Sequence, residues 1–196
     1  MTRAWGCGTC EAARVIQPFI RHASEELLRT SIFTVRQDLA EHPKSGRRGN
    51  YLVLEQPDWV NVVALSPSAE LIMVRQWRHG TRAVELEVPA GVIDPGESPL
   101  EAAARELREE TGYVAATLEL IGSVAPNPAI ASNTCFTVLA RDCTLAGEQQ
   151  LDEGEDIEVE LFGPARLEAA IASGEIRNAM AICALFWAQR EPERQT

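Results

Sequence analysis

Arg105-Glu106-Leu107-Arg108-Glu109-Glu110 brings three carboxylates together on a short stretch of chain. On a helix, positions three and four apart share a face, so Glu109 and Glu110 stand one turn beyond Glu106. Like charges at this spacing oppose helix formation by roughly 0.2–0.5 kcal/mol per pair. A hard divalent cation turns that repulsion into attraction, because carboxylate oxygens are the ligands Mg2+ and Mn2+ prefer. Taken alone, interleaved Arg and Glu also describe a solvated helix face, with Arg105 and Glu109 as an ordinary i,i+4 pair.

The flanking residues predict a helix. Ser98 reads as its cap, Pro99 as its first residue and Glu101 as the partner that closes a capping box. Leu100, Ala103, Ala104 and Leu107 form an apolar stripe, with the glutamates beside it. Thr111-Gly112 supplies the stop, Gly112 suiting a left-handed C-terminal position. Upstream, Val88 to Glu97 reads as a strand exit and a turn-rich loop containing Gly91 and Gly96.

Loop and helix together carry a longer pattern. Gly91, five residues, Glu97, seven residues, then Arg105 to Tyr113 resembles the Nudix box over its full 23 residues. Only Tyr113 departs, standing where an aliphatic residue is usual. The resemblance extends to the ADP-ribose pyrophosphatase branch. Val74-Arg75-Gln76-Trp77-Arg78 is similar to its Arg-Gln-aromatic-Arg strand, and Glu85-Leu86-Glu87-Val88-Pro89-Ala90-Gly91 to its Glu-apolar-Pro-Ala-Gly segment. Pro128 has the spacing typical of that branch, and Glu153 to Val159 resembles its late acidic loop and strand. Roughly residues 30–190 are covered.

This resemblance implies metal-dependent hydrolysis of a nucleoside diphosphate linked to a second moiety, with Mg2+ or Mn2+. It implies Glu106 and Glu110 as metal ligands, Glu109 as a ligand or water-mediated contact with a catalytic part, and the Ala90 carbonyl as a further ligand. Arg105 would orient a box glutamate such as Glu97. Arg78 would bind a phosphate or the terminal ribose, against the alternative of a surface salt bridge. Glu87 would contact substrate or a metal-held water, against the alternative of an outward strand residue. Glu155, with Glu153 in reserve, would position or deprotonate the attacking water, against the alternative of a solvated acidic turn. Trp59 or Trp77 would stack on a nucleobase, with packing as the alternative. Asn133 stands near a glutamate of the branch and cannot act as a base. GDP-mannose-like nucleotide sugars and dinucleotides such as NADH therefore stay open beside ADP-ribose. So does a non-catalytic nucleotide-binding module, although every box carboxylate is present.

The 196 residues are 45% apolar and 24% charged, enough for one main core with an appendage. Net charge is −11, from 29 acidic and 18 basic side chains. That balance argues against a nucleic-acid partner and against anionic membranes. No apolar run reaches the roughly 20 residues of a bilayer span, and no signal-peptide core follows Arg3, so the cytoplasm is expected. Five scattered cysteines form no disulfide framework. Cys7 and Cys10 make a C-x-x-C pair without the further ligands of a zinc site.

Between Glu11 and Leu28 the pattern predicts helical stretches, interrupted at Pro18. Strands are expected over residues 30–39, 51–54, 60–65, 71–74, 117–124, 134–141 and 157–162. Helices are expected over residues 164–173 and 176–190. This order predicts an α/β fold, by resemblance a Nudix-type α/β/α sandwich around a mixed sheet, with a small N-terminal β-sheet region. The expected division is residues 1–54, an extension and small sheet that pairs two subunits into a homodimer, and residues 55–196, the hydrolase domain.

Overall fold

The computed structural model describes residues 16–191. Twelve strands and three α-helices follow in order: β1 (Ile20–Arg29), β2 (Thr34–Glu41), β3 (Arg48–Glu55), β4 (Trp59–Leu65), β5 (Leu71–Arg78), β6 (Ala83–Glu87), β7 (Ala90–Val92), α1 (Pro99–Thr111), β8 (Tyr113–Val114), β9 (Thr117–Val124), β10 (Cys135–Arg141), β11 (Thr144–Leu145), β12 (Ile157–Phe162), α2 (Leu167–Ser173) and α3 (Ala179–Ala188). The main sheet runs β12-β5-β4-β10-β9, with β6 on β5 and β7 on β4. It is mixed, because β10 lies parallel to β4 while the other pairings are antiparallel.

Central strand β4 shows why the sheet is covered on both faces. Val60, Val62 and Ala64 pack against Ala102, Ala103 and Leu107 of α1. Val63, on the opposite face, joins Ala181, Ala184 and Leu185 of α3. Such continuous apolar runs suit a strand buried on both sides. The α/β/α sandwich follows. On the α3 side, a Cβ at Gly122 of β9 would lie 2.8 Å from the Trp187 ring, so the missing side chain lets the helix dock closely.

Strands β1, β2 and β3 form a separate antiparallel sheet. This corrects the helical expectation over its described part: residues 20–28 are strand, while Glu11 to Val15 lie outside the described residues. Register shifts between Arg21 and Ala23 and between Glu26 and Leu28 break the two-residue alternation of β1. No side of this strand is covered, so burial left no mark on its pattern. Cys7 and Cys10 also lie outside the described residues. The small sheet is tied to the main body where Leu54 bridges Ala131 and accepts a hydrogen bond from the Ser132 backbone.

The last two helices start later than expected. Residues 164–166 form a 3-10 turn before α2, and α3 begins only at Ala179, capped by the Asn178 side chain. Helix α1 has the expected ends: Ser98 and Glu101 form the reciprocal capping box, and Gly112 is left-handed. Its buried stripe differs. Ala102, Ala103, Leu107, Glu110 and Thr111 are buried, whereas Leu100 and Ala104 are exposed. The stripe therefore ends in a carboxylate, and Glu110 stands on it rather than beside it.

Candidate active site

Glu110 is 4% exposed. Its Oε2 accepts a hydrogen bond of 3.0 Å from the Ala90 backbone N–H, which joins α1 to β7. Burial pushes its carboxyl up to about 8, and the neighbouring Glu106 and Glu155 add to the rise against the Ala90 bond. Burial raises Glu106 as well, partly offset by Arg105. Gly91 stands against this group: a Cβ there would lie 1.9 Å from Glu106 Oε1.

Arg105 is the fastening of the loop. Its Nε and Nη2 donate to the Glu97 carboxylate at 3.0 and 2.9 Å, and Nη2 also donates to the Val92 carbonyl at 2.9 Å. Its Nη1 reaches Glu106 at 2.8 Å and Glu109 at 3.2 Å. The bonds to Glu97 raise the Arg105 pKa and hold the Glu97 carboxyl below its ordinary value. Arg105 is thus more than the partner of Glu109 on a helix face.

Glu106, Glu109, Glu110, Asp152 and Glu155 line one cavity of about 360 Å3, together with Ala90, Gly91 and Arg78. The late loop brings Glu155 there, and its carboxylate accepts from the Asp152 N–H at 3.0 Å. Glu153, the reserve candidate, does not line this cavity. Among the described residues, no three acidic, histidine or cysteine side chains converge on one point at ligand spacing. Arg105 occupies oxygens of Glu106 and Glu109. The donor set is nevertheless all oxygen, and the buried Glu110 gains most from a positive neighbour. Both features fit a hard divalent cation.

Arg78 and Glu87 form a forked pair, with Nη2 2.7 Å and Nε 3.3 Å from Glu87 Oε2. Glu87 is 2% exposed, so the outward alternative is excluded. Burial does not alternate along β6, where Val84 is exposed and Glu85, Leu86 and Glu87 are all buried, and Glu85 pairs with Arg177. Arg78 lines the acidic cavity and two others, of about 320 and 500 Å3. The smaller is walled by Trp59, Val92 and Met180, with Asn61 donating to the Met180 carbonyl at 3.0 Å. Trp77 is half-exposed and meets His79 edge-on, away from this wall. Buried Asn133 has no hydrogen-bond partner for either side-chain atom. Sequence reading missed Asn61, Met180, Asn178 and Arg177, which reach these cavities only through the packing of α3 on the sheet. Asn178 alone carried a local signal, its capping role.

Comparison with known proteins bears on the family of the chain. A family model described as the NUDIX domain matches residues 56–182. The chain is 32% identical over 138 residues to the ADP-ribose pyrophosphatase of Bacillus subtilis, covering 70% of this chain and 74% of that one. It is 31% identical over 169 residues to the ADP compounds hydrolase NudE of Escherichia coli, covering 83% and 87%. A crystal structure of an ADP compounds hydrolase superposes with a TM-score of 0.80 at 28% identity, over 90% of this chain and 95% of that one. The match over most of the chain, which includes the Gly91–Gly112 loop and helix, means that this chain belongs to the Nudix family.

Proposed function

We propose that this Nudix pyrophosphohydrolase cleaves the diphosphate of ADP-ribose or a related nucleoside diphosphate sugar, using Mg2+ or Mn2+. The products are a nucleoside monophosphate and a sugar phosphate. The observation that carries the reading is the buried Glu110 carboxyl, facing the same cavity as Glu106, Glu109, Glu155 and Arg78. Such an acidic wall repels a diphosphate unless a cation intervenes. Glu106, Glu109, Glu110 and the Ala90 carbonyl would hold that cation. When bound, it neutralises phosphate charge and activates water.

The remaining roles fall to the chain itself. Arg78 takes a phosphate oxygen, and Glu87 beneath it fixes the plane of the guanidinium. Glu155, on its own loop, accepts the proton of the attacking water. Glu109 shares the acidic wall and steers that water. The two further cavities that Arg78 lines suit the two arms of such a diphosphate. Trp59 and Met180 offer one arm an apolar wall for a base.

The domain division at residues 54 and 55 and the homodimer belong to the same proposal. Ile20, Leu28, Tyr51 and Leu52 of the small sheet are about half-exposed, a surface a second copy would cover. The free thiols of Cys135, Cys143 and Cys183 suit the reducing cytoplasm.

The test is product analysis with each metal across ADP-ribose, GDP-mannose and NADH. ADP-ribose should yield AMP and ribose phosphate. Absence of any monophosphate from the whole panel overturns the reading.

A further inference from the structure

The last carbonyls of a helix have no partner within it. Two of those in α1, together with the carbonyl of its cap residue Gly112, are taken by one short segment. The Glu109 carbonyl accepts from the Gln150 N–H at 2.8 Å, and the Gly112 carbonyl accepts from Ala146 at 2.9 Å. The Glu110 carbonyl accepts from the Gln149 side chain, Nε2, at 2.5 Å. The same nitrogen donates to the Ile157 carbonyl at 3.0 Å. A carboxamide nitrogen carries two protons, so one group satisfies both acceptors.

These two carbonyls have meaning for the site. Glu110 supplies the buried carboxyl of the acidic cavity. Ile157 is the first residue of β12, where the late loop ends. Gln149 itself lies where that loop begins. One nitrogen therefore fastens the start of the loop, its end and the helix residue opposite it. Glu155 sits between the two fastened ends. Its backbone N–H donates to the Asp152 carbonyl at 3.0 Å and its carboxylate accepts from the Asp152 N–H at 3.0 Å, so a turn inside the loop holds Glu155.

We infer that Gln149 is a positioning residue that sets Glu155 against Glu110, and this rests on the reading of both carboxylates given above. Glutamate at this position has the same size but turns two donors into acceptors that face two carbonyls. Alanine removes the group.

The experiment compares Gln149→Glu and Gln149→Ala in the full chain with the parent, on whichever diphosphate of the panel the parent cleaves. Both variants should lose about tenfold in kcat, as expected for two lost hydrogen bonds, with KM within about twofold. The same changes made in Glu155→Gln should lower kcat no further, because the loop then has no working carboxylate to place. Melting temperature separates loss of fold from loss of placement. A kcat kept within about twofold, or an equal loss in both backgrounds, overturns the role of Gln149. A Glu155→Gln enzyme as fast as the parent instead overturns the reading of Glu155, and the inference with it.

Discussion

The Glu106 carboxylate fills the space that a side chain at Gly91 would need: a Cβ there would lie 1.9 Å from Oε1 and 2.6 Å from Oε2. The clash falls on the end of a flexible side chain, which can turn away. Gly91→Ala should therefore fold, with a change in stability within about 1 kcal/mol. It should displace Glu106 and weaken Mn2+ binding about 10- to 100-fold, as measured by calorimetric titration with a diphosphate analogue present. Unchanged Mn2+ affinity would remove Glu106 from the ligand set.

Gly112→Ala meets a different obstacle. The new Cβ would lie 2.3 Å from the Gly147 carbonyl oxygen, and φ is +75°. Backbone cannot turn away as a carboxylate can. The expected loss of stability is about 1–3 kcal/mol, read from denaturant unfolding. A loss below about 0.5 kcal/mol would mean the segment after β11 yields freely.

Glu110 makes stability depend on pH in a stated direction. Its carboxyl is raised from 4.5 to about 8. Below 4.5 the protonated form is present in both states and the stabilising contribution is complete. As pH rises toward 8, the unfolded chain releases the proton while the folded chain keeps it, so stability falls and the contribution is lost. In a chelator, the melting temperature should decline across this window, and Glu110→Gln should flatten the decline. An identical slope in the variant would refute the assignment.

The same Glu110→Gln change should slow hydrolysis about a thousandfold. A glutamine oxygen can still accept from the Ala90 N–H, so the fold is kept while the anion is lost. Steady-state rates with Mg2+ test this, and parental activity would contradict the site.

Arg78→Ala leaves Glu87 buried without its partner. Arg78 is 40% exposed, which lowers the expected penalty to about 2 kcal/mol, below the usual range for a fully buried pair. Adding Glu87→Gln should restore most of the stability and none of the activity. Recovery of both would make the pair purely structural. Recovery of neither would leave the penalty unexplained by charge.

How much of this was legible depends on the reach of each interaction. The Ser98 cap, the left-handed Gly112 and strands such as β9 and β12 were readable because the deciding contacts or alternation lie within a few residues. Strand β1 was not readable, because its bulges and exposure erase the periodicity that marks a strand. Leu100 shows a related limit: helical spacing alone did not identify the buried face, which the sheet selected through Ala102, Ala103 and Leu107.

The sequence by itself determined the acidic helix, its ends and the glycine beside it, because short-range sterics and charge spacing are written in consecutive residues. Only the tertiary structure decided that Glu87 lies buried under Arg78, that Glu110 rests on the Ala90 amide, and that Gln149 joins α1 to β12. Those contacts depend on strand register and helix docking, which bring together groups as far apart as Glu110 and Gln149 along the chain. Packing sets such distances, and no local pattern records them.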